Sequence, residues 1–280
     1  MNVKNSVIDY TSDLSPSEKY SLSIRISRDG LSFLVFQDSN KRIAKIKHYS
    51  TDSTDVKSYC FWLNRILNQE DVLSLRFEKV LAIYIGFQST FVPTPLFDKT
   101  LINKYFNLNF SLQEHETILY SELEKFDVQQ IYSIPICIKE ALEDRFSNIS
   151  IKHHSSSLLS SYKESSTSNL AYFTSRFFTL IIFNEMGIQF QNSFKYQKAE
   201  DVLFFILRAL NSQNYDPKAF NLKLLSEPKW DADHSILNLL KNYISNIDLG
   251  KIEPPTIIPS ELQIMAQHEW LLLANSIICE

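Results

Sequence analysis

The stretch SLSIRISRDGLSF (Ser21–Phe33) decides the fold class of this chain. Apolar residues alternate with polar ones at its start, which predicts a strand with one buried face. The turn Arg28-Asp29-Gly30 follows, and an Asp-Gly pair supplies the positive φ values that a tight hairpin needs. A return strand at 31–37 and a third strand at 41–49 complete a predicted antiparallel meander.

A helix and a buried strand are predicted directly after the meander. Apolar residues recur at helical spacing over 56–69 and form one stripe, and Asp55 or Thr54 can cap the helix start. The run KVLAIYI at 79–85 is apolar throughout and ends at Gly86. A continuous apolar run of this length is typical of a strand covered on both faces, as in a mixed or parallel sheet. The fold class is therefore predicted to be α/β with mixed sheets.

The same order of elements returns in the second half of the chain. It consists of a strand, a turn, a return strand, a helix and a strand, predicted at 176–183, 184–187, 188–194, 199–213 and 220–225. Aligning Gly30 with Gly187 superposes the two series, although the residue identities do not match. The pattern has two interpretations, an internal duplication or a coincidence of the kind that α/β chains often show.

Glycine is scarce in this chain. The 280 residues include only 4 glycines, whereas average usage predicts roughly twenty. A Gly-x-Gly-x-x-Gly turn and a glycine-rich P-loop are both missing from the sequence. Hydrophobic residues make up 44%, which predicts a sizeable core, and the net charge is −4. A positive surface potential that attracts nucleic acids or anionic membranes in general is therefore not expected.

The length predicts two lobes. Residues 1–20 are polar and lack the apolar segment of a signal peptide, so they are predicted to form a tail. The first lobe is predicted at 21–165 and the second at 166–280, with the boundary in a serine-rich loop at 164–169.

The cysteines and the apolar runs bear on the compartment. Cys60, Cys137 and Cys279 lie far apart, which favours small core residues in a reducing compartment over a disulfide scaffold. The longest apolar runs, such as 177–183, are too short to cross a bilayer. A cytoplasmic protein with no membrane segment is therefore expected.

Two ribonuclease-H-like units in one chain would form the actin-like ATPase fold, and the predicted order of elements resembles that arrangement. More specifically, the chain resembles a bacterial family known from Bacteroidetes, domain of unknown function 3822. The matching segments are 21–33, FVPTPLF at 91–97 and IICE at 277–280. The resemblance covers nearly the whole chain from about residue 20. It implies an actin-like architecture of two ribonuclease-H-like lobes, and it implies no activity.

The same resemblance directs attention to the two hairpins. Active actin-like ATPases carry an Asp-x-Gly phosphate loop in each lobe, where the Asp positions Mg²⁺ or its waters. If the glycines correspond, Arg28 and Glu185 stand at the two Asp positions, and an arginine there would repel the cation. Asp29 could replace it if the register shifts by one. The candidate phosphate-binding residues are therefore Asp29, Gly30, Glu185 and Gly187, and the alternative is two simple hairpins.

Two clusters carry other possible chemistry. His153 and His154, next to three serines, could serve metal or nucleophilic chemistry, but no second ligand pair is visible, and a solvated helix entry is the favoured interpretation. Asp231, Asp233 and His234 could bind a metal, although an Asp that caps the next helix is the favoured interpretation.

A stripe of cations follows the third strand. Lys41, Lys45 and Lys47 share one face under a period of two. They could bind RNA. A solvated strand face or a protected edge is the favoured interpretation.

Three hypotheses of function follow, and the first is preferred. They are a non-catalytic interaction or scaffold protein with degenerate phosphate loops, a divergent nucleotide-binding protein or ATPase, and an accessory RNA- or ribosome-associated factor. The preferred hypothesis expects no cofactor and an unidentified protein partner, with a homodimer left open and nucleic acid not expected. The second would take ATP with Mg²⁺.

Overall fold

A computed structural model gives the architecture of the chain. It describes residues 5–11, 14–15, 17–160, 169–185, 187–227, 230, 234–252, 256–263 and 266–278. The strands are β1 Asn5–Thr11, β2 Tyr20–Ser27, β3 Gly30–Gln37, β4 Arg42–Ser50, β5 Val80–Tyr84, β6 Ser89–Pro93, β7 Glu116–Leu123, β8 Val128–Pro135, β9 Ile149–His153, β10 Asn169–Phe173, β11 Phe177–Asn184, β12 Gly187–Lys195, β13 Asn221–Ser226 and β14 Asn246–Leu249. The helices are α1 Val56–Gln69, α2 Ile102–Asn107, α3 Ile136–Arg145, α4 His154–Ser160, α5 Ala199–Ser212, α6 Ser235–Lys241, α7 Ser260–Gln263 and α8 Leu271–Ile278.

The chain divides into two compact units. The ranges of unit 1 are 1–161, 254–262 and 273–280, and those of unit 2 are 162–253 and 263–272. The sequence predicts an uninterrupted second lobe, whereas two C-terminal segments belong to unit 1. The predicted polar tail also needs correction, because β1 lies within it and pairs antiparallel with β4.

Each unit is built on a mixed sheet, and apart from β1 the first sheet has the same strand order as the second. The first sheet runs β1-β4-β3-β2-β5-β9 and the second runs β12-β11-β10-β13-β14. In the first, β2 pairs antiparallel with β3 and parallel with β5. In the second, β10 pairs antiparallel with β11 and parallel with β13. By position, β10, β11 and β12 therefore correspond to β2, β3 and β4. A third sheet, β6-β8-β7, is inserted between β5 and β9.

This order overturns the predicted alignment of the two glycines. Gly30 lies in the β2–β3 hairpin, whereas Gly187 pairs with Asn184 in the β11–β12 hairpin. The counterpart of the β2–β3 turn is the turn between β10 and β11, at 174–176. The two glycines occupy successive hairpins of the pattern, so they are not equivalent.

The two long helices form where the sequence predicts them. Asp55 caps α1, since its carboxylate accepts a hydrogen bond from the Ser58 amide at 2.9 Å. In the first turn of α5, the Asp201 carboxylate accepts from the amide of the N-cap residue Lys198 at 3.2 Å, as in a capping box. The helices follow corresponding strands, β4 and β12, and each buries one apolar face in the core of its unit.

A disulfide joins two helices of unit 1. Cys60 on α1 is bonded to Cys137 on α3, across a sequence separation of 77 residues. The prediction of separate, reduced core cysteines is therefore wrong for this pair. A pairing over so long a separation leaves no local signal in the sequence.

Unit 2 is packed around aromatic rings. The Phe173 ring lies 5.2 Å from that of Phe178 and 4.7 Å from that of Trp230. Phe194 stacks on Phe205 at 4.8 Å. Ring pairs of this kind stabilise a core beyond the area that they bury.

The C-terminal segments of unit 1 return to its sheet. Ile257 bridges to Arg42 at the start of β4, and the Ile43 amide donates to the Ile257 carbonyl at 3.1 Å. On α8, the Ser276 hydroxyl lies 3.0 Å from the hydroxyl of Ser23 on β2. Within the part of the chain that the structure describes, no helix combines the length and apolar character needed to cross a bilayer.

Candidate functional site

Three neighbouring parallel strands of the first sheet have their carboxyl ends side by side. Ile26 on β2 pairs with Tyr84 on β5, which pairs with His153 on β9. In open α/β sheets, ligands bind outside the carboxyl ends of the strands. The β2–β3 hairpin, the residues after β5 and the start of α4 therefore form the candidate site.

The β2–β3 hairpin closes on its own chain. The guanidinium of Arg28 donates to the Thr54 carbonyl at 2.7 Å, and the Asp29 carbonyl accepts from the Thr51 amide at 3.0 Å. A Cβ at Gly30 would lie 2.1 Å from the Tyr49 carbonyl oxygen. Gly30 is thus required by the close approach of β4, a structural role that needs no ligand.

A buried hydrogen-bond network fills the carboxyl ends of β5 and β9. His153 is fully buried, with Nε2 2.8 Å from the Gly86 carbonyl oxygen and Nδ1 2.9 Å from Nε2 of Gln130. Since a carbonyl only accepts, Nε2 carries the proton and Nδ1 accepts from Gln130. The Ser156 hydroxyl in turn donates to Oε1 of Gln130. The network ties β9 and α4 to the inserted third sheet through β8.

The expectation of a solvated helix entry at His153 and His154 is wrong. Both imidazoles are fully buried, and the three serines that follow are 1% exposed or less. Burial lowers the pKa of His153 to about 4, although the hydrogen bond to Gly86 opposes the shift. Burial and the neighbouring His153 hold the pKa of His154 well below its usual value. Both rings are therefore neutral at pH 7.

The corresponding turn of unit 2 is closed by a side chain. The Thr174 hydroxyl accepts from the amides of Phe177 at 3.0 Å and Arg176 at 3.2 Å, and donates to the Phe177 carbonyl at 2.8 Å. Glu185 lies in the next hairpin, where it is exposed. Gly187, beside it, has a φ of 116°, which favours glycine. The predicted phosphate site therefore stays a prediction. The two sheets do not place its residues, Asp29 and Gly30 in one hairpin and Glu185 and Gly187 in the other, at equivalent positions.

The predicted lysine stripe is not an open cationic face. Lys45 Nζ lies 3.2 Å from Oε1 of Glu70, and Lys47 Nζ lies 2.8 Å from Oε2. Tyr49 donates to the same carboxylate, which is 7% exposed. Lys41 lies outside β4. The favoured interpretation of a solvated face is wrong, because Glu70, directly after α1, draws the two lysines of β4 into a buried ion cluster.

The charges in this cluster determine the protonation states of Glu70 and Tyr49. Burial disfavours ionisation of Glu70, yet hydrogen bonds from Lys47 and Tyr49 and the nearby Lys45 hold its pKa below the usual value. Burial and the adjacent carboxylate raise the pKa of Tyr49 to about 12. The glutamate is therefore ionised and the tyrosine is a neutral donor at pH 7.

The residues of the β2–β3 hairpin are used within the chain. The resemblance stated above would put Arg28 at the position of the Mg²⁺-binding acid, and the Arg28 guanidinium donates to the Thr54 carbonyl. The turn approaches Tyr49 where a phosphate cradle would need space. Across the described ranges no cluster of three or more His, Cys, Asp or Glu could hold a metal. Asp231 and Asp233 lie outside the described residues.

The chain matches known proteins in sequence and in structure. A family model described as "Protein of unknown function (DUF3822)" matches residues 9–247. A crystal structure from Bacteroides thetaiotaomicron VPI-5482, of a protein with actin-like ATPase fold and unknown function, is 21% identical with a TM-score of 0.74, covering 92% of this chain and 99% of that one. No curated protein has a sequence that matches this chain.

Two further structures share the fold at lower identity. The PilM–PilN type IV pilus biogenesis complex matches with a TM-score of 0.59 at 8% identity, covering 92% of this chain and 98% of that chain. The ethanolamine utilization protein EutJ from Carboxydothermus hydrogenoformans matches with a TM-score of 0.52 at 6% identity, covering 96% and 92%. Identities this low show the fold alone. The chain belongs to the DUF3822 family and has the actin-like ATPase fold.

Proposed function

We propose that the chain is a non-catalytic interaction protein that uses the actin-like fold as a scaffold. The observation that carries the proposal is the buried network at the carboxyl ends of β5 and β9. There His153, Gln130 and Ser156 bind one another and the Gly86 carbonyl. A site built for phosphate transfer keeps such donors available to a ligand, whereas these side chains satisfy each other away from solvent.

The hairpins support the same proposal. The turn at 174–176 has neither an acid nor a glycine and is closed by the Thr174 hydroxyl. Arg28 at the tip of the β2–β3 hairpin is held by a main-chain carbonyl. The shared strand order of the two sheets favours an internal duplication in which the phosphate loops have degenerated.

A role in binding a protein partner has two supports. One relative of similar fold is part of an assembly, the PilM–PilN type IV pilus biogenesis complex. Around the third sheet, this chain exposes large apolar side chains: Leu96, Leu108, Leu112 and Tyr120 are 69%, 79%, 38% and 39% exposed. Exposed apolar side chains concentrated in one region are typical of interaction surfaces. A homodimer and a different protein partner are both consistent with this surface.

Calorimetric titration with Mg-ATP, combined with a phosphate-release assay, tests the proposal. We expect no binding in the low-micromolar range and no turnover. Tight binding with turnover would contradict the proposal and favour a divergent ATPase. In that case, loss of binding in Asp29→Ala or Glu185→Ala would identify which hairpin carries the site, with Asp248→Ala on β14 as the matched control.

The cytoplasmic location stays a prediction, and the disulfide bears on it. Disulfides are rare in reducing compartments, so the Cys60–Cys137 bond argues for an oxidising one. Free-thiol labelling of the protein taken from its native cells decides between them. We expect one reactive thiol if the bond persists and three if the compartment is reducing.

A further inference from the structure

An open pocket lies at the edge of the first sheet opposite the candidate site. Its volume is about 390 Å³, and it sits where Val80 begins β5 and where Asn148 precedes β9. Arg76 and Arg145 line it together with neighbouring residues. Ligand pockets commonly have volumes of about 300–1,000 Å³, so this one has room for a small molecule.

Arg145 lines the pocket, and part of its guanidinium group lacks a hydrogen-bond partner among the described residues. Its Nη2 donates to the Ser74 hydroxyl at 2.8 Å. Its Nε is buried and has no hydrogen-bond partner among the described residues. A buried donor left unpaired costs about 1–3 kcal/mol, and the Ser74 hydroxyl is the hydrogen-bond partner that the described residues give this guanidinium. The side chain is half-buried at the end of α3, so its position is set by packing.

Arg76 adds a second cation to the same wall. It is exposed, and within the described ranges no acid forms an ion pair with it. Glu78 is the acid that lines the pocket, and Lys19 already binds it, with Nζ 3.2 Å from Oε1. The lining therefore carries two guanidinium groups against one carboxylate, and Lys19 beside that carboxylate adds a further cation.

We propose that this pocket binds an oxyanion, the phosphate or carboxylate group of a small ligand, through Arg76 and Arg145. Guanidinium groups offer paired donors that match the oxygens of phosphate and carboxylate. Asn148 also lines the pocket, and its Nδ2 donates to the Glu78 carbonyl at 3.5 Å with one of its two hydrogens. This site is separate from the nucleotide position that the fold suggests, because it lies at the amino ends of β5 and β9.

Isothermal titration of the full chain with pyrophosphate and, separately, with citrate tests the site. We expect at least one of these probes to bind, with an affinity that weakens as salt is raised. The stronger probe shows whether the oxyanion is a phosphate or a carboxylate. Arg76→Gln should weaken binding by about tenfold or more, the loss of a charge-assisted hydrogen bond. Arg208→Gln, at an exposed arginine on α5, is the matched control and should leave the affinity unchanged.

Arg145→Lys separates the geometry of the guanidinium from its charge. It keeps the charge and removes the paired donors, so we expect weaker binding. Urea unfolding of each variant shows whether the protein is folded. Failure of both probes to bind at millimolar concentration overturns the proposal, and so does equal weakening in Arg76→Gln and Arg208→Gln. Neither result depends on the outcome of the Mg-ATP titration.

Discussion

The two mixed sheets have the same strand order but are held by different chemistry. Unit 1 relies on a disulfide, a buried ion cluster around Glu70 and a polar network around His153. Unit 2 relies on stacked rings around Phe173. Their equivalent hairpins differ in the same way, since Gly30 closes one and the Thr174 hydroxyl closes the other. The same sheet topology is thus compatible with two different sets of core contacts and two different ways of closing the turn.

The positions of the three tryptophans allow each unit to be followed separately. Trp62 lies in the core of unit 1, whereas Trp230 and Trp270 are buried in unit 2. A Trp230→Phe/Trp270→Phe background leaves tryptophan fluorescence, excited apart from tyrosine, only in unit 1. A Trp62→Phe/Trp270→Phe background leaves it only from unit 2. The predictions below use these two reporters during urea unfolding.

Removal of the disulfide should have the largest effect. Replacing Cys60 and Cys137 together by alanine frees a loop of 77 residues, which the loop-entropy relation places at about 4.5 kcal/mol. We expect the Trp62 signal to unfold at lower urea and the Trp230 signal to change little. A comparable loss at both reporters would show that the units do not unfold independently.

Glu70→Gln should have the next largest effect. It leaves Lys45 and Lys47 without their carboxylate in a buried setting, which costs about 3 kcal/mol. Glu143→Gln on α3 is the matched control, because its pair with Lys139 is partly exposed and contributes about 0.5 kcal/mol or less. Equal losses in the two variants, measured with the Trp62 reporter, would contradict a buried cluster.

Acidification should destabilise unit 1 through its histidines. The pKa of His153 falls from its usual 6.5 to about 4 on folding, so between these values the unfolded chain binds a proton that the folded chain excludes. Stability is therefore lost as the pH falls through this window, by about 1.4 kcal/mol per pH unit for each such histidine. Burial likewise lowers the pKa of His48 to about 4.

The variant His153→Gln shows how much of the pH dependence of the unfolding free energy comes from His153. It removes the titrating ring, so the free energy of unfolding of the Trp62 reporter between pH 6.5 and 4 should depend less steeply on pH. An unchanged slope would mean that folding does not lower the pKa of His153. Comparison at each pH with the wild-type residue in the same background removes the effect of the reporter substitutions.

Thr174→Ala should have the smallest effect. It removes the hydroxyl that binds the Phe177 amide and carbonyl, worth about 1 kcal/mol. Thr174→Ser keeps the hydroxyl and should restore most of the stability of the Trp230 reporter. If serine is as poor as alanine, the methyl group rather than the hydrogen bonds holds the turn.

The sequence could predict the elements that carry their own local signal. The apolar stripe and Asp55 cap of α1 and the Asp-Gly turn before β3 are such signals, and the structure confirms both. The sequence does not predict the strand β10, because its turn at Thr174 has no glycine, proline or asparagine and is closed by a side chain. Because the predicted series lacks β10, it pairs Gly187 with Gly30. The two series of elements are then aligned with an offset of one hairpin.

The candidate site depended on contacts that no local pattern encodes. A period of two places Lys45 and Lys47 on one face, but the acid that binds them is Glu70, beyond the next helix. His153 is fully buried, and its Nδ1 accepts a hydrogen bond from Gln130 of the inserted sheet. Both partners were invisible in the sequence, since a lone Glu and a lone Gln carry no motif.

The return of the C-terminal segments to the first sheet has a consequence for synthesis. Ser23 and Ser276, whose hydroxyls meet, are separated by 253 residues, and Ile257 bridges to Arg42. During synthesis, unit 2 has all of its residues once 272 has been added, whereas β2 in unit 1 still lacks the contact from Ser276. The unit that is translated first is therefore the unit that is completed last.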